Sequence, residues 1–188
     1  MRRKTGGRWK KSNFAVGIPP KKNLMRIIRF FYRKIYKKEP PYYYYYSIWK
    51  IIVIPIRKYF NVVIIPNTPF NNLRVFMYRC CGYKIGKNVF IGMKCYLDDM
   101  CYDKIIIEDN VGISYGVYFA CHGQHQVQHT TITIKKGAHI GMRASLISGK
   151  HGITIGENSM VGAGALVNKD VPDYVTAVGV PIKIIAPV

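Results

Sequence analysis

The ten residues Ala120–His129, ACHGQHQVQH, hold three of the chain's five histidines, with a cysteine among them. An imidazole with an unperturbed pKa of about 6.5 can take a proton near neutral pH, which suits a general base. Three neutral imidazoles can also bind zinc. The third option is that His122, His125 and His129 are solvated loop residues. The spacing H-x-x-H-x-x-x-H lies within one short segment and leaves all three open. No carboxylate flanks His122, and Gly123 follows it. The nearest acids are Asp98, Asp99 and Asp103. A base histidine is usually oriented through its other nitrogen. One of these acids could do that or bind an acceptor, a backbone carbonyl could orient the ring instead, or all three acids could be ordinary corner residues.

The scaffold around these residues is a repeat of period six. IGKNVF, IGMKCY and LDDMCY run from Ile85 to Tyr102. IEDNVG, ISYGVY and FACHGQ run from Ile107 to Gln124. IKKGAH, IGMRAS and LISGKH run from Ile134 to His151, and IGENSM, VGAGAL and VNKDVP from Ile155 to Pro172. Each hexad opens on an aliphatic residue or Phe. The fifth position is usually small or β-branched, as at Val89, Cys95, Cys101, Val111, Ala138 and Ala165. Three short strands and three corners would close one triangular coil, with first positions stacking inward at roughly 4.7–4.9 Å. Glycine at the second position is read as permitting the corner conformation. Four coils follow, and His122 falls on the sixteenth residue of the second. That places it at the edge of a regular wall. Counting back one coil from it lands on Met100.

The rest of the chain differs in texture. Residues 1–60 carry 17 Lys and Arg against one acid, Glu39, whereas residues 61–188 carry 12 against 8. Residues 1–21 read as a basic disordered tail. Lys22–Lys38 places Leu24, Ile27, Ile28, Phe31 and Ile35 at helical spacing among arginines and lysines, a basic amphipathic helix ended by Pro40 and Pro41. Five tyrosines follow at 42–46. The apolar run Ser47–Phe60 is expected to be broken by Pro55. The five cysteines include no C-x-x-C pair, so a disulfide framework or zinc ribbon is not expected, and reduced thiols in the cytoplasm fit. Met1-Arg2-Arg3-Lys4 is followed by Thr5-Gly6-Gly7-Arg8 rather than an apolar run, so no secretory signal is read. No window of 18 apolar residues marks a membrane span. The domains expected are a tail over 1–21, a helical extension over 22–70 and a mainly β domain over 71–188.

The run Ile85–Pro172 with GVPIKII at Gly179–Ile185 resembles the hexapeptide-repeat acyltransferases. IGENSMVGAGALVNKDVPDYVTAVGVP is similar to the acetyltransferase ending of that family, and ISYGVYFACH to the segment before a catalytic histidine in its sugar and polysaccharide O-acetyltransferases. The resemblance implies a left-handed parallel β-helix, acetyl-CoA as donor and homotrimers with active sites between adjacent β-helices. It implies His122 as general base in direct transfer, with His125 a lesser candidate and Cys121 not a nucleophile. By position it carries over Met142, Ala163, Asn168, Lys169 and Lys183 to CoA, although the family more often has a small residue where Ile182 stands. The acceptor implied is a sugar or surface-polysaccharide hydroxyl, possibly lipid-linked. The alternatives are a sugar-amine N-acyltransferase, a non-catalytic β-helix, or a zinc enzyme; no metal is expected. Residues 22–60 fit peripheral contact with the inner face of the plasma membrane. Packing on the β-helix is the alternative, and no nucleic-acid motif accompanies the charge.

Overall fold

A computed structural model describes residues 23–41, 48–122 and 130–187. The basic tail, the tyrosine run at 42–46, and His125 and His129 lie outside the described residues. The chain forms two compact units, Met1–Ile52 and Val53–Val188.

The first unit contains helix α1 (Asn23–Tyr36), which ends before Pro40 as Lys37 turns to a φ of 50°. Helix α2 (Ile48–Tyr59) crosses the boundary between units and runs on through a π-helical segment (Phe60–Ile64) into α3 (Ile65–Asn67). Pro55 therefore does not break this run, contrary to expectation. Its fixed φ is compatible with a helix, and the cost is one lost backbone hydrogen bond. The extension expected over 22–70 divides within α2, because residues from Val53 onward belong with the β domain. Helix α4 (Asn71–Cys80) precedes the first coil.

Coil 1 contains β1 (Lys84–Ile85), β2 (Phe90–Ile91) and the bridging residue Tyr96. Coil 2 contains β3 (Ile105–Ile107), β4 (Gly112–Ile113) and β5 (Tyr118–Ala120). Coil 3 contains β6 (Ile132–Ile134), β7 (His139–Ile140) and β8 (Ser145–Ile147). Coil 4 contains β9 (Ile153–Ile155), β10 (Met160–Val161) and β11 (Leu166–Val167), followed by β12 (Val175–Val178) and β13 (Lys183–Pro187). They form three sheets ordered β1-β3-β6-β9, β2-β4-β7-β10-β12-β13 and β5-β8-β11. All pairings are parallel except β12 with β13. This is a left-handed parallel β-helix of four coils.

The hexad pattern explains the core. Ile91, Ile113, Ile140, Val161 and Ala177 form one ladder column, and Ile85, Ile107, Ile134 and Ile155 another. From Ile91 to Val167 every first-position side chain is buried. Each such Ile or Leu contributes roughly 1.5–3 kcal/mol. The fifth positions Val89, Cys95, Cys101, Val111, Val117, Ala138, Ala144, Ala165 and Val171 are buried beside them.

Second-position glycine turns out to serve a different purpose from the one expected. The left-handed residues sit at the fourth position, where Asn88, Asn110 and Asn158 have φ of 52°, 57° and 49°. Asparagine is one of the few side chains that tolerate this region. Glycine at the second position instead permits close approach between coils. A Cβ on Gly156 would lie 2.3 Å from the carbonyl carbon of Pro172.

An open coil leaves backbone groups unpaired at its edge. The N-terminal helices cover them with side chains. Asn71 donates to Val89 O at 3.1 Å and accepts from Ile91 N–H at 3.0 Å. Arg74 Nε donates to Ile91 O at 2.7 Å, and Tyr78 to Cys95 O at 3.3 Å. Asn61 Nδ2 and the Tyr83 hydroxyl both donate to Leu97 O, at 2.8 and 3.0 Å. This capping gives the helices after Val53 a structural role in the β domain.

Candidate active site

Strand β5 ends at Ala120, and the chain continues along the same wall through Cys121 to His122. One coil below, Tyr96 pairs with Tyr118, and Asp98 follows it into a turn at Asp99–Met100. That turn takes the coil 1 backbone out of the ladder, so the Asp98 side chain takes the place of a backbone acceptor. Its Oδ2 accepts the Cys121 N–H at 2.8 Å and its Oδ1 accepts the Met100 N–H at 3.1 Å. Oδ2 also meets Nδ1 of His122 in a short hydrogen bond. Position counting pointed to Met100 as the residue beneath His122. Its side chain is exposed, and Asp98 occupies the site by reaching up from two residues earlier.

Asp98 is fully buried and His122 is 36% exposed at its side chain. Because the carboxylate oxygens accept from backbone N–H groups, Nδ1 is the donor of the pair. The Nε2 lone pair then remains for a ligand. A histidine held at Nδ1 by a buried acid has a fixed tautomer and orientation.

The other candidates do not all converge here. Asp99 is buried, but its Oδ1 accepts from the Tyr96 hydroxyl at 3.0 Å. Asp103 is exposed on a turn at Tyr102–Lys104, with Lys104 Nζ at 3.7 Å. Met142 and Ala163 stack one coil apart at a corner, where Gly164 N–H donates to Met142 O at 2.8 Å. Asn168 and Lys169 follow β11 on the sheet that carries β5, and both are exposed. Lys183 opens β13 and is exposed, while neighbouring Ile182 is buried in the core.

Sequence reasoning did not single out Tyr96 and Tyr118. Their rings stack at 4.8 Å and 15°, with Tyr118 partly exposed. Their positions in adjacent coils, both sixth in a hexad, were the available signal.

Asp98, Cys101 and His122 place ligand-type atoms within 4.8 Å of one another, the one such group among the described residues. Three such atoms could hold a cation. Burial, and then the Asp98 charge, push the Cys101 thiol well above its ordinary range, so without a bound cation it stays neutral near pH 7. Burial and Asp98 likewise push the Cys121 thiol up to about 12. A raised thiol pKa means the neutral S–H persists below that pH, so Cys121 carries no thiolate near neutrality. Native protein treated with iodoacetamide at about pH 8 should be labelled at exposed Cys80 and spared at Cys95, Cys101 and Cys121. Peptide mapping would read this, and labelling of Cys121 at the rate of Cys80 would contradict it.

A family model described as the hexapeptide repeat of succinyl-transferase matches residues 83–119 and 131–169. Over 103 residues the chain is 36% identical to serine acetyltransferase of Buchnera aphidicola subsp. Acyrthosiphon pisum, covering 53% of this chain and 36% of that protein. Over 120 residues it is 34% identical to galactoside O-acetyltransferase of Escherichia coli K12, covering 55% and 56%. A crystal structure of a hexapeptide-repeat-containing acetyltransferase from Vibrio cholerae, in complex with acetyl coenzyme A, aligns over 75% of this chain and 90% of that one. Its TM-score is 0.59 at 22% identity, a likeness of fold. The chain spans about half, or less, of the length of the curated relatives it matches.

Proposed function

We propose that the chain is an acetyltransferase of the hexapeptide-repeat family and that it transfers acetyl from acetyl-CoA to a hydroxyl of a sugar or glycan. The observation that carries this reading is the buried Asp98 holding Nδ1 of a part-exposed His122. In the proposed reaction His122 Nε2 takes the acceptor hydroxyl proton as that oxygen bonds to the thioester carbonyl carbon. The C–S bond then breaks, and the proton passes from Nε2 to the departing CoA sulfur. Asp98 acts through His122 as a positioning residue and stabilises the imidazolium formed in between. No acyl-enzyme is required, in keeping with the neutral Cys121 thiol.

Met142 and Ala163 at their corner, with Asn168, Lys169 and Lys183, are the proposed CoA contacts, the lysines as counter-charges to its phosphates. The Tyr96–Tyr118 stack and Asp99 are proposed to face the acceptor. An aromatic face suits a sugar ring, and Asp99 keeps the Tyr96 ring in place. A homotrimer with sites between neighbouring β-helices is part of the proposal, and light scattering tests it.

Thermal melting tests the donor. Acetyl-CoA at about 100-fold over its Kd should stabilise the chain by about 2.7 kcal/mol. ATP and a simple polyanion serve as controls, because a chain of formal charge +20 binds phosphates unspecifically. An equal shift with every anion would remove the donor assignment. Turnover is then compared across sugar hydroxyls, a sugar amine and free serine. Turnover confined to serine or the amine would move the acceptor class while keeping the donor. Stoichiometric zinc in the purified protein would favour a metal at Asp98, Cys101 and His122 instead.

A further inference from the structure

The helix that runs from α2 into the π segment is inverted relative to an ordinary surface helix. Its polar side faces the protein. The Arg57 guanidinium lies 4.2 Å from the Tyr102 ring centre and donates to Asp99 O at 3.3 Å. Asn61 is buried one turn later, and Ile65 one turn after that. Ile56, Tyr59, Phe60 and Val63 lie on the other side and are 40–57% exposed. A helix on a water-soluble domain normally turns its apolar stripe inward. Helix α1, taken by itself, also has an uncovered apolar stripe. Ile27, Phe31 and Ile35 are each at least half exposed, with Arg26, Arg29 and Arg33 on the opposite side. An exposed apolar patch of this kind marks an interaction surface.

The charge around these helices selects the partner. Residues 1–97 contain 22 Lys and Arg and one acid, Glu39. Glu39 is itself paired with Arg33 at 2.8 Å. We infer that residues 23–63 dock on the surface of an anionic lipid bilayer, with the apolar stripes at the headgroup–acyl boundary and the basic side chains among lipid phosphates. Among the described residues no helix is long and apolar enough to cross a membrane, so the contact is peripheral. A second copy of the chain would bring the same positive charge against this face. A nucleic acid would engage the basic residues and leave Ile56, Phe60 and Val63 in water. A bilayer satisfies both kinds of side chain.

Co-sedimentation of the full chain with vesicles tests the inference. The vesicles are phosphatidylcholine alone or with about 30% phosphatidylglycerol. The wild type should partition at least about tenfold more strongly onto the anionic vesicles. Ile56→Glu/Phe60→Glu and Arg26→Glu/Lys34→Glu should each lose about tenfold of that partitioning. Both should keep the wild-type melting temperature and its shift with acetyl-CoA, so failure here is separable from failure of the transferase reading. Independently of any helix-face variant, Trp49 in a Trp9→Phe chain should shift its emission to the blue on anionic vesicles. Equal partitioning onto both vesicle types, or variants that bind like the wild type, would overturn the inference. So would an unchanged Trp49 spectrum. A variant that changes oligomeric mass in light scattering while its vesicle binding stays intact would assign the face to a second copy instead.

Discussion

His122→Asn should lower kcat by about 10²- to 10⁴-fold, the usual contribution of a positioned general base. Acetyl-CoA affinity should stay near the wild-type value, because in the proposed reaction the ring meets the acceptor hydroxyl rather than the body of the cofactor. The asparagine keeps a polar group at a half-exposed position, so stability should change little. Asp98→Asn adds a second reading. It can donate as well as accept, so it no longer dictates that Nδ1 carries the hydrogen. The tautomer with Nε2 protonated becomes available, and that form cannot accept the hydroxyl proton. kcat should fall while the melting temperature and acetyl-CoA affinity stay near the wild-type values. A purely structural role for Asp98 would lower the melting temperature and leave kcat of the folded protein unchanged. Steady-state rates on both variants, with calorimetric acetyl-CoA binding, decide the matter. Wild-type turnover in His122→Asn would end the assignment.

Phe119→Ala should destabilise the chain by about 3–5 kcal/mol. Phe119 is fully buried and is the largest first-position residue of the repeat. It pairs with Leu146 in the coil above, and its backbone N–H donates to Tyr96 O below at 2.9 Å. The parallel coils on either side are fixed by their own ladders, so the wall cannot collapse into the space left. Phe119 also lies three residues before His122, so the loss should reach the site. Phe119→Leu, which keeps most of the volume, should cost under about 1.5 kcal/mol. Phe31→Ala on α1, half-exposed, should fall within about 0.5 kcal/mol. Equal melting temperatures for Phe119→Ala and Phe31→Ala would refute the packing argument.

The sequence by itself determined the coil. A period of six, an aliphatic first position and a small fifth position are properties of single residues and their spacing. They specify which side chains point inward, whatever the rest of the chain does. The placement of His122 at the end of a wall followed from the same count. What lay beyond the count depended on contacts between residues far apart in sequence. Three acids stand within six residues, Asp98, Asp99 and Asp103, and their types do not tell them apart. Only the turn at Asp99–Met100 settles which one meets Nδ1, by removing a backbone acceptor beneath Cys121 and leaving Asp98 to replace it. Second-position glycine had a plausible local reason, yet its actual reason is the backbone of the next coil. The helix through Pro55 is similar. A proline's local cost is legible, but the bonds from Arg57 and Asn61 to coil 1 that hold the helix in place are tertiary. Those bonds also decide which face of the helix turns outward. Hydropathy along the run marks it as apolar; only the tertiary structure puts its polar side against the β-helix and its apolar side toward solvent.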